Sequence, residues 1–235
     1  MPSPRVLIMI PAFNEARVIA RLVMDLKTRY PGFTVVVVDD GSADNTREEA
    51  LQAGASVATL PCNLGIGGAV QTGYKIADLE GFDATVQIDG DAQHDPACLM
   101  EVLNPVLEGK LDLCIGSRFL SANSAFRSTF ARRLGIRFFA MLLGALTGTH
   151  LTDPTSGFRA TSKKLIHRFA TYYPVDFPEP EAIKVAQRLG ARIGEVPVNM
   201  RKRLGGTSSI RYMKTVYYMI KVTFAILIDT LKRNK

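Results

Sequence analysis

The chain has 235 residues, of which 47% are hydrophobic and 22% are charged, a composition that excludes disordered, collagen-like and low-complexity proteins. The length fits one large domain, or one domain with an appendage. The 29 Lys and Arg residues exceed the 22 Asp and Glu residues, and the resulting net charge of +7 suits a polyanion, a phosphorylated ligand or an anionic membrane surface.

The cysteines and the N-terminus indicate a protein of a reducing compartment. Cys62, Cys98 and Cys114 are odd in number and lack CxxC spacing, so we expect neither a disulfide framework nor a zinc site. The apolar run near the N-terminus is interrupted by Pro11 and Glu15 too early for a secretory signal. It predicts a first strand instead.

Short apolar runs alternate with helical patterns through the first half of the chain. The predicted strands are Val6–Ile10, Thr34–Asp39, Ser56–Leu60, Ala84–Asp89 and Leu111–Ser117, each with the composition of a strand buried on both faces. The predicted helices are Ala16–Arg29, Asn45–Ala53, Gly67–Asp78 and Pro96–Glu108. This order predicts an α/β fold with a mostly parallel central sheet flanked by helices, in which ligands bind at the carboxyl ends of the strands.

A basic amphipathic helix is predicted from about Phe126 to Leu146. Large apolar residues recur there every four positions among several arginines, as Phe126, Phe130, Leu134, Phe138 and Leu142. Such a helix suits a membrane surface, and the alternative is that it packs on the core.

A C-terminal amphipathic helix is predicted from Ile210 to about Lys232. Its densest apolar run, Val216–Ile228, spans roughly 20 Å at about 1.5 Å per residue, which is too short for a bilayer core of about 30 Å. We expect it to lie at the membrane surface, with an oligomer interface as the alternative. The chain then divides into a main domain, residues 1–209, and this helix, residues 210–235.

The most specific local signal is Asp89-Gly-Asp91-Ala-Gln93, which ends a predicted strand. In an extended chain the two carboxylates project to one side, Gly90 allows close backbone approach to a ligand, and Gln93 adds a neutral oxygen. Such hard oxygen ligands suit Mg²⁺ or Mn²⁺ with positions left open for phosphate oxygens. A solvated turn is the alternative, but placement at the carboxyl end of a strand favours the metal site.

A second acidic pair, Asp39 and Asp40, ends the second predicted strand. Two adjacent carboxylates at this edge of a sheet suit hydrogen bonds to a nucleoside. Ser42 and Asp44 follow them, and N-capping of the next helix is the alternative role for these two residues.

The first predicted strand ends in an aromatic residue and a carboxylate. Pro11-Ala-Phe13-Asn-Glu15 follows the apolar run, so that three neighbouring strand ends outline one pocket, although Phe13 is equally compatible with the core. The glycines of Gly65-Ile-Gly67-Gly68 follow the third strand and lack dinucleotide-binding spacing. We expect them to allow a tight turn against a ligand or a helix.

Basic residues cluster after the acidic motifs. They are Arg118, Arg127, Arg132, Arg133, Arg159, Arg201, Lys202 and Arg203. Nucleic acid is not the expected partner, because the aromatic residues follow helical apolar spacing instead of a basic stripe. The phosphates of a diphosphate donor or of a lipid are better candidates, with a solvated surface as the alternative for any single arginine.

Taken in order, these motifs resemble those of the family 2 glycosyltransferases. The segments are IPAFNEA, VVVVDDGSADNT, LPCNLGIGGAVQTGY, QIDGDAQHDP, GSRF, LTDPTSGFRA and EVPVNMRKR with GGTSSI. The similarity is greatest to the dolichyl-phosphate mannosyltransferase-like and bacterial polyprenyl-phosphate glycosyltransferases. It covers about residues 6–210.

The resemblance implies a GT-A fold that binds a nucleotide-diphosphate sugar and inverts its anomeric centre. It implies a nucleoside site formed by Pro11, Phe13, Glu15, Asp39 and Asp40. It implies a Mg²⁺ or Mn²⁺ site formed by Asp89, Asp91 and Gln93. Arg118, Arg133 and Arg203 match positions that contact donor or acceptor phosphates, so that Asp91, Arg118 and Arg133 are candidate catalytic residues.

The acceptor decides whether a general base is needed. A polyprenyl phosphate is already an anion and needs none, whereas a sugar hydroxyl of a lipid-linked oligosaccharide or cell-surface polysaccharide requires one. Glu179 and Glu181 open the predicted helix Ala182–Leu189, where hydroxyl-directed members carry their acidic residue, and stabilisation of the helix N-terminus is the alternative. Prolines around Phe177–Pro180 depart from the mannosyltransferase pattern and keep both acceptors open.

We expect a peripheral enzyme at the cytoplasmic face of the cell membrane. Its expected partners are a nucleotide-diphosphate sugar, a lipid phosphate or lipid-linked glycan, and the membrane surface, without nucleic acid. A homo-oligomer or a small membrane-protein partner is compatible with the sequence. A membrane-recruited module that binds nucleotide sugars without catalysis is a further hypothesis.

Overall fold

The computed structural model describes residues 3–120, 151–175 and 178–201, together with seven separate positions between 135 and 150. The strands are β1 (Val6–Ala12), β2 (Thr34–Asp39), β3 (Ser56–Thr59), β4 (Ala84–Gln87), β5 (Leu113–Ser117), β6 (Arg159–Ser162) and β7 (Ile193–Pro197). The helices of the fully described ranges are α1 (Ile19–Arg29), α2 (Thr46–Gln52), α3 (Gly65–Leu79), α4 (Leu99–Leu107), α5 (Lys163–Thr171) and α6 (Pro178–Arg188), with a 3₁₀ turn at Pro96–Cys98.

The strands of the described ranges form one sheet in the order β3-β2-β1-β4-β6-β5-β7. The pairs β1–β2, β1–β4, β2–β3 and β5–β7 are parallel, whereas β6 runs antiparallel to both β4 and β5. The prediction of an α/β fold with a mostly parallel sheet is therefore confirmed. The two strands that the apolar pattern did not reveal are β6, which contains Arg159, and the half-buried β7.

The five predicted strands all exist, and only β2 has the predicted bounds, since β1 extends to Ala12 and β5 begins at Leu113. Strand β3 is half-exposed and not buried on both faces, because it pairs only with β2 at the edge of the sheet. Strand β4 ends at Gln87, two residues before Asp89.

Two hydrophobic layers cover the faces of the sheet, and β1 contributes to both. Ile8 packs with α1 and α4 on one face, while Met9 packs with α3, α5 and α6 on the other. Every residue of β1 is buried, and each such large apolar side chain stabilises the fold by about 1.5–3 kcal/mol. Because β1, β2 and β4 are parallel and adjacent, their carboxyl ends meet at one edge.

The two helices predicted around residues 126–146 and 210–232 lie outside the continuously described ranges, and so does the proposed division at residue 210. Within the part of the chain that the structure describes, every helix is too short or too polar to span a bilayer.

The glycines at the start of α3 allow close packing. Gly65 has a φ of +78° and begins α3, two residues earlier than predicted. At Gly67 an added Cβ atom would collide with the backbone carbonyl of Val175 and would lie 2.5 Å from that of Pro174. The absence of a side chain therefore lets α3 touch the segment that precedes α6.

We expect Gly67→Ala to destabilise the protein by about 1–2 kcal/mol, because overpacking against rigid carbonyls outweighs the roughly 1 kcal/mol that alanine gains in helix propensity. Urea unfolding followed by circular dichroism measures the difference. Gly32→Ala is the control, since no atom lies within 4 Å of its added Cβ. Equal stability of the two variants would contradict this packing.

Candidate active site

The loops after β1 and β2 are joined by hydrogen bonds. The backbone N–H of Asn14 donates to Oγ of Ser42 at 2.9 Å, and the N–H of Ala43 donates to Oδ1 of Asn14 at 2.8 Å. Asn14 has a left-handed φ of 57°, which this reciprocal pair stabilises. Phe13 lies beside it with 46% of its surface exposed, so it is not a core residue.

Asp44 and Thr46 extend the same connection. Asp44 accepts from the N–H of Ala16 at 3.2 Å, and Thr46 Oγ1 accepts from the N–H of Glu15 at 2.8 Å. Helix α2 follows Asn45, whose side chain makes no capping hydrogen bond. N-capping is thus the wrong explanation for Ser42, while Asp44 both binds the β1 loop and accepts from the N–H of Thr46 at the start of α2.

The acidic pair at the end of β2 is enclosed by backbone donors. Asp39 accepts from the N–H of Ser42 at 3.1 Å, and Asp40 accepts from the N–H of Leu64 at 2.7 Å. Burial raises the pKa of Asp40, although the N–H groups of Leu64 and Gly65 oppose the rise. The pair therefore also fixes the two loops that surround it.

The segment Asp89–Gln93 forms a turn beyond the end of β4. Ala92 has a φ of 57°, and Asp91 accepts from the N–H of Gln93 at 3.0 Å. The segment is not the extended chain that the sequence analysis expects, because β4 ends at Gln87 and Gly90 and Asp91 lie in a turn. The close backbone approach at Gly90 is to β1, where its N–H donates to the carbonyl of Pro11 at 3.2 Å.

Asp89 and its neighbours suit a divalent cation. Its side chain is 37% exposed, and an added Cβ at Gly157 would lie 2.5 Å from its Oδ1, so that only glycine leaves room for the carboxylate. No group of three or more His, Cys, Asp or Glu side chains in metal-binding arrangement occurs among the described residues. A cation held by one or two carboxylates and by substrate phosphates needs no such group, and the oxygen donors of this turn fit Mg²⁺ or Mn²⁺.

Arg118 forms a buried, two-pronged ion pair with Asp153. Its Nε lies 2.5 Å from Oδ2 and its Nη2 lies 2.6 Å from Oδ1, and the two residues are 5% and 0% exposed. Burial opposes the charge of Arg118, but the hydrogen bond and charge of Asp153 outweigh it and raise the pKa of the guanidinium. The negative charges of Asp89 and Glu179 act in the same direction.

Glu195 on β7 holds the turn that carries Asp153. Its carboxylate accepts from the N–H groups of Thr152 and Asp153 at 2.6 and 2.7 Å. Thr152 also shares a hydrogen bond of 2.6 Å with Ser117, at the end of β5. The ion pair is thereby tied to two strands of the sheet.

Two arginines that the sequence assigned to phosphate binding have other partners. Arg159 is 1% exposed and donates to the carbonyls of Ser156, Pro154 and Glu179 at 2.7–2.8 Å. Arg201 pairs with Asp25 and Asp95. Arg159 therefore connects the loop before β6 to the first turn of α6.

That first turn brings Glu179 near Asp89. Burial raises the pKa of Glu179, and the charge of Asp89 adds to the rise, while Arg159 and Arg118 oppose it. Asp89, Arg118 and Glu179 therefore interact electrostatically in one region. Glu181 lies in the same turn of α6 and is half-buried.

A protein-family model described as glycosyl transferase family 2 matches residues 7–170. The chain belongs to this family. The glycosyltransferase expected from the sequence is therefore confirmed, and the hypothesis of a module without catalysis is set aside.

Two relatives and one solved structure illustrate the similarity. The chain is 30% identical to the UDP-N-acetylglucosamine–dolichyl-phosphate N-acetylglucosaminyltransferase of Methanococcus voltae, over 84% of this chain and 86% of the relative. It is 31% identical to the undecaprenyl-phosphate mannosyltransferase of Micrococcus luteus, over 88% and 87%. The glucosyl-3-phosphoglycerate synthase of Mycobacterium tuberculosis, solved with Mn²⁺, UDP-glucose and phosphoglyceric acid, superposes with a TM-score of 0.70 at 21% identity, over 99% and 82%.

The structure of this glycosyltransferase brings most of the predicted site residues to one edge of the sheet. Arg133 and Arg203 lie outside the described residues. Sequence analysis assigns no role to Asp153, Glu195 or Gly157, which support Arg118 and Asp89. The first and last of these occur in LTDPTSGFRA, one of the segments that carry the family resemblance.

We expect Asp153→Asn to lower the free energy of unfolding by about 3–5 kcal/mol, because it leaves the charge of Arg118 buried without its partner. Urea unfolding at neutral pH measures the loss. The control is Asp83→Asn, which disrupts an exposed pair with Lys163 and costs less than about 1 kcal/mol. A loss as small as that of the control would contradict the burial of this ion pair.

Proposed function

We propose that this glycosyltransferase moves a hexose from a nucleotide-diphosphate sugar to a polyprenyl phosphate, at the cytoplasmic face of the membrane, with a divalent cation and with inversion of the anomeric carbon. The observation that carries the proposal is that the charges of Asp89, Arg118 and Glu179 act on one another, and that the turn with the half-exposed Asp89 is hydrogen-bonded through Gly90 to Pro11 of β1. Both relatives described above are named for transfer to a polyprenyl phosphate.

The connected loops are the proposed nucleoside site. Phe13 directly follows β1 and is 46% exposed, and its ring is proposed to offer a flat surface for a base. Pro11, Glu15, Asp39 and Asp40 complete the site in this proposal. The hydrogen bonds between the loops hold these residues in place before the donor arrives.

The diphosphate is proposed to lie against the turn after β4. Asp89, Asp91 and Gln93 would hold Mg²⁺ or Mn²⁺, which supplies positive charge to a departing nucleoside diphosphate. Arg118, oriented by Asp153, adds a fixed positive charge in the same region, and Arg133 and Arg203 are proposed to contact phosphates as well. Charges that are oriented in advance stabilise the leaving group without reorganisation in the transition state.

The acceptor phosphate is proposed to attack the anomeric carbon from the face opposite the diphosphate. Its oxygen is already anionic, so no side chain has to remove a proton. A sugar hydroxyl as acceptor is the second candidate function, and Glu179 favours it, because burial and the charge of Asp89 raise the pKa of this carboxyl group. Glu179 or Glu181 would then be the base.

Incubation with labelled UDP- and GDP-sugars, Mn²⁺ and undecaprenyl or dolichyl phosphate tests the reaction. We expect mass spectrometry to detect a polyprenyl phosphate that carries one hexose, and Asp89→Asn combined with Asp91→Asn to lower turnover at least about 100-fold. Asp83→Asn is the control that keeps turnover. Absence of transfer to either lipid phosphate from any of these donors would overturn the proposal.

Glu179→Gln and Glu181→Gln distinguish the acceptors. For a phosphate acceptor we expect both variants to keep turnover within about tenfold of the wild type. For a hydroxyl acceptor, the variant that lacks the base loses about 10²–10⁴-fold. A loss of that size, together with a product in which the sugar is joined to another sugar, would replace the first function by the second.

A further inference from the structure

We infer that His94 positions the carboxylate of Asp89 for the cation, as a positioning residue that does not touch the substrate. The inference rests on the proposed function, because it concerns the same site. His94 is 3% exposed and lies directly after the turn that carries Asp89 and Asp91.

The imidazole ring of His94 lies close to both the main chain and the side chain of Asp89. The backbone N–H of Asp89 donates to Nδ1 of His94 at 3.2 Å. A ring nitrogen that accepts carries no proton, so the neutral ring has its proton on Nε2. Nε2 lies 3.8 Å from Oδ2 of Asp89, beyond hydrogen-bond length but near enough for its N–H dipole to attract the carboxylate.

Contacts of the ring and of the backbone hold His94 in place. It stacks on Phe158, with ring centres 5.1 Å apart and an angle of 23° between the planes. The backbone of His94 forms an antiparallel bridge with Met200, and the N–H of Arg201 donates to the carbonyl of Gln93 at 2.8 Å. Because the ring has a fixed orientation, it can hold the neighbouring Asp89 in a fixed orientation as well.

The other oxygen of Asp89, Oδ1, has neighbours of its own. Gln87 Nε2 lies 3.4 Å from Oδ1, and the missing side chain of Gly157 gives that oxygen its space. His94 is thus near Oδ2 of the carboxylate, whereas Gln87 is near Oδ1 and Gly157 lies close to both oxygens. Groups of this kind, which orient a metal ligand without binding the metal, typically change metal affinity 10–100-fold when they are mutated.

A histidine that only fills the core predicts a different result. Its loss would lower stability and leave the affinity of the folded protein for the cation unchanged. The positioning role predicts a selective loss of cation affinity. The affinity for the cation and the affinity for the nucleotide therefore have to be measured separately.

His94→Phe keeps the ring and its stacking on Phe158 and removes both nitrogens, whereas His94→Asn keeps an acceptor near the place of Nδ1. Mn²⁺ is titrated by electron paramagnetic resonance into protein saturated with UDP or GDP, whichever the wild type binds. We expect the Kd for Mn²⁺ to rise about 10–100-fold in His94→Phe and by less in His94→Asn, which keeps an acceptor for the backbone N–H of Asp89 but loses Nε2. Nucleotide affinity without the metal stays within about twofold in both variants.

His167→Phe is the matched control, because this exposed ring contacts Asp78 at the far end of α3 and leaves the Kd for Mn²⁺ unchanged. Circular dichroism verifies that each variant is folded, and His94→Leu replaces His94→Phe if the latter does not fold. An unchanged Kd in a folded Phe or Leu variant overturns the inference, and so does a loss of metal-free nucleotide affinity as large as the loss of Mn²⁺ affinity. Wild-type protein that binds neither Mn²⁺ nor nucleotide contradicts the proposed function itself.

Discussion

The antiparallel insertion of β6 between β4 and β5 determines which residues meet at the site. A strand that runs against its neighbours begins where they end, so the loop before β6 lies at the carboxyl edge of β4 and β5. This loop carries Asp153, Gly157 and Phe158. A parallel strand in the same position would have brought its carboxyl end, and the beginning of α5, to this edge instead.

Buried charge gives this edge its rigidity. Arg159 satisfies its guanidinium with backbone carbonyls, and Arg118 satisfies its own with Asp153. Charges removed from water are tolerated only when they are paired and hydrogen-bonded, so each guanidinium fixes the groups around it. The first turn of α6, with Glu179, is consequently tied to the same loop that shapes the surroundings of Asp89.

The elements that could be predicted from the sequence are those whose structure follows from the pattern of apolar and polar residues within a short segment. Apolar runs identified β1, β2 and β4, and the ordered motifs identified the family, because strands buried on both faces and acidic residues at their ends are visible in consecutive residues. Strand β6 was missed because Arg-Ala-Thr-Ser has no apolar run, although the sheet buries most of it. Its burial depends on neighbours that are distant in the chain.

The roles of single charged residues were harder to predict, for the same reason. Arg159 was grouped with phosphate-binding arginines because a sequence does not show that three carbonyls surround it. Asp153 received no role because its partner lies 35 residues away. The carboxylates of Asp89 and Asp91 were assigned to an extended strand, whereas the end of β4 at Gln87 depends on where pairing with β1 and β6 stops.

In the nucleoside site proposed above, the hydrogen bonds that join Asn14 to Ser42 and Ala43 would influence the choice of donor. Two loops that are hydrogen-bonded to each other do not rearrange separately around different bases. A nucleoside would therefore have to fit the shape that the site already has. Little conformational entropy is then lost when it binds, which favours affinity. A change of the preferred base during evolution would accordingly require substitutions of side chains in these two loops, and not a change in how the loops move.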